Sequence, residues 1–326
     1  MPLMLSRQDV MKVLDMKDCI EVTQQAFAEM ANGTAVLPLR TNIKPPDGLS
    51  LYMPAYLQRL GALACKIVTV YKDNPAKHNM PVVVGKVLLQ DPQTGDVMCI
   101  MDGGYLTAIR TGAASGVATK YLARDDKGQV AGIFGAGVQA GAQLWAMSAV
   151  RPLSRALVYD KVEKAVDNFI KTWSEKLNLD VAKADSADHL LEQADIVCAA
   201  TSSPTPIFDG SKVREGTHIN GIGSHTPNAR ELDTAIIKRS MLVADSYEAC
   251  LSEAGDIMIP IQEGAIDKSH MKAELGEIVT GKKYGRRDDK QITIFKSNGL
   301  AIQDAATAKL IYDKAVAAGI GMNIEL

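Results

Sequence analysis

Three cations stand among neighbours that are apolar or small: Arg40 in Leu-Pro-Leu-Arg-Thr-Asn (37–42), Lys66 in Ala-Leu-Ala-Cys-Lys-Ile-Val (62–68) and Arg110 at the end of Tyr-Leu-Thr-Ala-Ile-Arg (105–110). A charge inside an apolar strand is costly unless it meets an anion. A carboxylate ligand would supply one, and arginine suits a two-pronged grip on it. A structural Asp or Glu, or an exposed strand face, would serve each cation as well. For Arg110, which leads straight into a helix and then a glycine-rich turn, ligand binding is the favoured reading. A desolvated Lys66 would titrate toward neutrality and so qualifies as a proton donor. His225, in Gly-Ser-His-Thr-Pro (223–227), is the other candidate, with a hydrogen-bonded loop residue as the equal alternative.

The second chemical signal is the stretch 130–142. A short apolar strand, 130–134, runs into Gly135-Ala-Gly137, and a helix opens at Val138 and Gln139. Gly135, Gly137 and Ala140 have the spacing of a dinucleotide fingerprint: one glycine for the turn, one for close approach to a pyrophosphate, and a small residue where helix meets sheet. The helix N-terminus adds free N–H groups and a positive dipole end. A second strand, 156–159, ends in Asp160, about 20 residues beyond Ala140, where an acid accepts hydrogen bonds from the adenosine ribose. Asp160 could also cap the helix that follows. An acid there favours NAD, while Lys161 and Lys164 leave NADP open.

The elements that must position these residues fall into two patterns. Up to about residue 105 the chain reads as two helices, the second over 16–31, and then strands at 39–43, 49–54, 62–71, 82–89 and 97–101, mainly antiparallel. A helix over 111–122 links this part to an alternating run, with strands at 130–134, 156–159, 180–184, 196–200, 218–222, 241–244 and 292–295 and helices at 139–149, 161–177 and 187–193. Such alternation predicts a Rossmann-type α/β fold, a doubly wound parallel sheet covered on both faces. Ligand then sits at the carboxyl ends of the strands, which brings Gly135, Asp160, Thr201 and Gly223 to one edge as cofactor-binding residues. The last helix, 302–318, should fold back on the first part. The expected domains are a discontinuous α+β substrate-binding and dimerisation domain (1–115 with 303–326) and a dinucleotide-binding domain (116–302). The charged segment 282–289 reads as a solvated loop.

Composition narrows the remaining classes. The 326 residues are 47% hydrophobic and carry a formal net charge of -2, with no basic tract to suit nucleic acid. Five widely spaced cysteines in mostly apolar surroundings indicate reduced core residues, and the histidines do not join them at metal-ligand spacing. No basic leader or membrane-length apolar run is present, so a cytoplasmic protein without membrane partners is expected.

Several stretches together resemble the ornithine cyclodeaminase/mu-crystallin family of NAD(P)-dependent enzymes. They are the segments around Arg40, Tyr52-Met-Pro-Ala, Cys65-Lys-Ile-Val, Ala108-Ile-Arg-Thr-Gly-Ala-Ala-Ser, Gly135-Ala-Gly-Val-Gln-Ala, Ile222-Gly-Ser-His-Thr-Pro with Arg230-Glu-Leu-Asp, Lys296-Ser-Asn-Gly and Gln303-Asp-Ala-Ala-Thr-Ala. The resemblance implies a homodimer built through the first domain and a substrate held between that domain and the nicotinamide. It also implies that Arg40, Lys66 and Arg110 bind an α-carboxylate, and that Thr111 helps hold the cofactor. Members of the family move hydride between cofactor and the α-carbon of an amino or imino acid. Cyclodeaminases carry an aspartate third in a Gly-x-Asp segment, a place taken here by His225, and a Pro-Gly-Lys that this chain lacks. The expectation is therefore a ketimine reductase or an amino-acid dehydrogenase of the alanine dehydrogenase kind. An ornithine cyclodeaminase and a non-catalytic crystallin-like binding protein are the alternatives.

Overall fold

In the computed structural model, which describes residues 1–325, the chain divides into two compact units: Met1–Thr111 joined by the segment from Leu300 on, and Gly112–Gly299. The first opens with β1 (Leu3–Leu5), α1 (Arg7–Val13) and α2 (Met16–Ala31). Ser6 and Asp9 form a capping box at α1, and the Asp15 carboxylate caps α2 by accepting from the Lys17 N–H at 2.8 Å. There follow β2 (Ala35–Val36), β3 (Thr41–Ile43), β4 (Leu49–Leu57), β5 (Ala62–Val70), α3 (Asn74–His78), β6 (Val83–Gln90), β7 (Val97–Asp102) and α4 (Gly103–Leu122). Helix α4 begins well before the expected residue 111, because the Asp102 carboxylate accepts from the Tyr105 N–H at 2.9 Å and starts it at the glycine pair. Arg110 consequently lies inside this helix and not at its opening.

The second unit contains β8 (Gln129–Phe134), α5 (Val138–Val150), β9 (Leu153–Tyr159), α6 (Glu163–Leu177), β10 (Asp180–Lys183), α7 (Ala187–Gln193), β11 (Ile196–Ala199) and β12 (His218–Gly221). It continues with α8 (Thr234–Arg239), β13 (Met241–Ala244), α9 (Tyr247–Glu253), α10 (Gly255–Gln262), β14 (Met271–Glu274), α11 (Leu275–Val279) and β15 (Thr293–Lys296). All of its strand pairs are parallel, in the order β10-β9-β8-β11-β12-β15-β13-β14. Burial on both faces explains why its strands read as unbroken apolar runs. Ala156 and Val158 pack with Leu144 and Phe169 on one side, while Leu157 packs with Leu190 and Ile236 on the other. Chain order reverses between β8 and β11, the place where such sheets open a ligand crevice. Strand β14, absent from the expected set, adds an eighth, edge strand.

The chain then returns to the first unit as α12 (Ala301–Ala318) and β16 (Met322–Asn323). Helix α12 packs on α2, β4 and β5. The first sheet runs β16-β1-β7-β6-β5-β4-β2, with β3 also on β4. Its register puts Met53, Lys66, Val87 and Met101 in one cross-strand row, with Ala55, Ala64, Leu89 and Cys99 in the next, all buried. Lys66 is the charged residue in this otherwise apolar face. The opposite face carries Tyr52, Pro54, Tyr56, Leu63, Ile67, Leu88 and Ile100, all partly exposed.

Candidate active site

Helix α12 answers the charge on β5. The Lys66 Nζ lies 2.9 and 2.8 Å from the two carboxylate oxygens of Asp304, both side chains being 1% exposed. The Oδ1 atom of Asp304 also meets the Nε of Arg110 at 2.9 Å, and the Arg110 guanidinium donates to the Gln303 side-chain oxygen. The Gln303 Nε2 is buried without a partner. Arg40, half-buried between β2 and β3, adds a third positive charge near enough to act on Lys66. Burial drives the Lys66 pKa down, and the Arg110 charge lowers it further. Together these outweigh the pull of Asp304, so Lys66 titrates at about 7 instead of 10.5. The cluster therefore sets two buried cations, Lys66 and Arg110, against the single Asp304 carboxylate, with the amine poised near neutrality, which equips it to bind an anion and exchange a proton.

In the second unit the glycine turn has the geometry its spacing predicts. Gly135 has φ +98° and donates its N–H to Tyr159 O at 2.9 Å, and a Cβ there would lie 2.6 Å from Ala200 O. A Cβ on Gly137 would meet nothing within 4 Å, so this glycine faces open space at the start of α5, whose first turn has no side-chain cap. Asp160 accepts from the Ala136 N–H and the Val162 N–H, each at 2.9 Å, tying the turn to the end of β9. Gly135, Gly137, Val138, Gln139, Asp160 and Thr201 line one cavity of about 770 Å3. Open cradle, uncapped helix end and acid fit the phosphates and ribose of a dinucleotide.

The remaining expected residues lie elsewhere. Gly223 is not in that cavity wall; it follows β12 and donates its N–H to Glu231 at 2.7 Å. His225 is exposed two residues on, its Nδ1 2.9 Å from the Gly223 carbonyl, an acceptor that requires the proton on Nδ1. Thr111 is buried within α4. The loop of Gly223 and His225 is anchored by groups to which the sequence assigned no role. Buried Lys296 reaches Asp256 at 2.9 Å and donates to Ser224 O at 2.6 Å, Asp256 accepts from the Glu231 and Leu232 N–H groups, and Glu231 accepts from those of Thr201 and Gly223. Sequence reasoning misses Asp304 and Gln303 likewise, although one signal exists. Asp304 shares a helical stripe with Ala308, Ile311 and Ala315, where a carboxylate demands a cation. Among the described residues no group of side chains is arranged to hold a metal ion, and no helix is long and apolar enough to cross a membrane.

A glycine turn at the switch point of a parallel sheet, with an acid closing the next strand, defines a dinucleotide-binding protein. The chain belongs to the ornithine cyclodeaminase/mu-crystallin family, whose sequence model matches residues 1–319. It is 38% identical over 326 residues to a Delta(1)-pyrroline-2-carboxylate reductase of Bacillus cereus, covering 99% of each chain. The solved Delta(1)-pyrroline-2-carboxylate reductase of Thermococcus litoralis, in complex with NADH and L-proline, is 49% identical with a TM-score of 0.95, covering 99% of this chain and 100% of that one. An archaeal alanine dehydrogenase dimer with bound NAD is 35% identical with a TM-score of 0.93, covering 100% and 99%.

Proposed function

We propose that the protein is an NAD-dependent reductase of small cyclic α-imino acids, with Δ1-pyrroline-2-carboxylate as the leading substrate and proline as product. The observation that carries this reading is the buried cation surplus around Lys66, which calls for a small carboxylate. Arg110 and Arg40 grip that carboxylate, and the unpartnered Gln303 amide supplies a further donor. When bound, the nicotinamide cofactor supplies the hydride that reaches the α-carbon. Lys66 delivers the proton that the imine nitrogen needs, so that C=N plus hydride plus proton gives CH–NH. Gly135, Gly137, Val138 and Gln139 would take the pyrophosphate, and Asp160, whose oxygens retain free lone pairs, the ribose. Asp160 favours NAD by repelling a 2′-phosphate. Thr111, Thr201, Gly223 and His225 are assigned to the nicotinamide end, with His225 as an auxiliary proton carrier.

The partly exposed and mostly apolar face of the first sheet, from Tyr52 and Pro54 to Ile100 with Lys86 and Asp102 in one of its rows, suits a second copy of the chain, and we assign a homodimer to it. Five unpaired cysteines, four of them buried, fit a reducing cytoplasm. The test follows absorbance at the NADH and NADPH band with pyrroline-2-carboxylate, piperideine-2-carboxylate, and pyruvate plus ammonia, beside ornithine with NAD. Fastest turnover of NADH with a cyclic imine is expected. Fastest turnover with pyruvate and ammonia would make the protein an alanine dehydrogenase, release of ammonia from ornithine a cyclodeaminase, and no turnover a binding protein.

A further inference from the structure

Asp304 is one carboxylate facing several cations. The charged groups that act on Lys66 are Asp304 from α12, which it contacts, Arg110 from α4, which shares Asp304, and Arg40 from the β2–β3 connection. Helix α2 contributes Cys19, which bonds Thr307 of α12 and whose thiol burial holds at about 12, hence uncharged. The strand neighbours Met53 and Val87 carry no charge. With no ligand, a proton on Lys66 would set two buried positive charges, the ammonium and the Arg110 guanidinium, against the one Asp304 carboxylate, and the amine sheds it readily. A substrate carboxylate on the arginines adds a second negative charge, and the same proton becomes favourable.

We propose that carboxylate binding and proton uptake at Lys66 are a single coupled event, so that the substrate loads the acid that will protonate its own nitrogen, with Asp304 as the positioning residue that keeps the ammonium in place. The inference rests on the substrate site assigned above. Linkage makes the coupling reciprocal: whatever factor carboxylate binding adds to proton affinity, the proton adds to carboxylate affinity. It follows that carboxylate affinity falls as pH rises above neutrality. Above neutral pH an imine lacking the carboxylate fails in turnover as well as in binding, because nothing loads Lys66.

The experiment is calorimetric titration of the full-length chain with pyrrole-2-carboxylate, a planar ligand whose nitrogen does not titrate in this range. It is run with and without NADH, in phosphate and in Tris, whose ionisation heats differ. On the order of one proton should be taken up per ligand near pH 8, and almost none near pH 6, where Lys66 is already charged. Lys66→Met should bind without uptake, and Asp304→Asn should move the uptake to lower pH because it removes the ammonium's counter-charge. Binding with no uptake at any pH would overturn the coupling and leave the substrate site standing. Unchanged uptake in Lys66→Met would assign the proton to another group and equally overturn it. Absence of binding in the wild type would overturn the substrate site itself, and the coupling with it.

Discussion

Lys66 in the first unit and Lys296 in the second are both buried, and their aspartate partners lie at almost equal distances, 2.8 Å for Asp304 and 2.9 Å for Asp256. Their charge surroundings are opposite. Burial lowers the Lys66 pKa, and the charges of Arg110 and Arg40 add to the fall, to about 7. Lys296 also suffers from burial, but Asp256, with Glu231 behind it, more than compensates and raises its pKa. Carbonyls of Gly221 and Ser224 hold its remaining protons. Contact distance therefore does not decide whether a buried lysine can move a proton. The sign of the surplus charge around it does. The first pair can serve chemistry and the second can only fasten a loop.

Removing each amine should separate the two roles. Lys66→Met is expected to lower imine reduction by about 10^3-fold, within the span of a lost general acid, while NADH titrated by fluorescence still binds. The fold should survive, since Asp304 keeps Arg110. Below about pH 7 the wild-type fold bears a buried ammonium at a cost absent from the unfolded chain, whose lysine keeps its proton to about 10.5. That cost is relieved as pH rises between the two values. The variant's Tm at pH 6 should therefore match or exceed the wild type's. A collapse in Tm would mean that Lys66 is structural. Lys296→Met should do the reverse by leaving the Asp256 carboxylate buried without its cation. A loss of about 3–5 kcal/mol in denaturant unfolding is expected.

This contrast also explains what the sequence could disclose. One wall of the cavity that fits a dinucleotide comes from a continuous stretch, 130–160, in which strand, turn, helix, strand and acid follow one another in a local spacing, while Thr201 and its neighbours join it from beyond β11. Lys66 and Arg110 announce themselves as charges in apolar surroundings, but their partner Asp304 lies 238 residues from Lys66 and meets it only because α12 returns to the first sheet. No local pattern encodes that return. Helix α4 starts earlier than its pattern suggests because Gly103 and Gly104 look like breakers until Asp102 is seen to cap the helix. Strands as short as β1 and β14 have too few residues to display a period, and the helices between Thr234 and Val279 are similarly brief.

The contrast is sharpened by pH. If Lys66 must carry a proton to reduce the imine, kcat/KM should decline about tenfold per unit as pH rises above about 7, the limiting slope for one titrating group. Asp304→Asn should move this falling limb to lower pH, because the carboxylate that supports the ammonium is gone. Glu231→Gln, which alters the surroundings of Lys296, should leave the limb where it is. A limb that moves with Glu231 would place the controlling charge in the second unit and undo the distinction between the two pairs.

The smallest effect belongs to the rim of the dinucleotide cavity. Asp160→Ala removes the acceptor for the Ala136 and Val162 N–H groups, both of which can turn to water at this partly exposed position. The fold should lose little, while NADH affinity drops about tenfold as the ribose loses its acceptor. NADPH should gain relative to NADH, because a negative charge no longer opposes the 2′-phosphate and Lys161 lies in the same cavity wall. Pyrrole-2-carboxylate should bind the variant as it binds the wild type, with the same proton uptake, since Asp304, Arg110 and Arg40, the charges that set Lys66, are unchanged. If ligand affinity or proton uptake falls along with NADH affinity, the two units do not bind independently and the Lys66 cluster is tuned from the cofactor side.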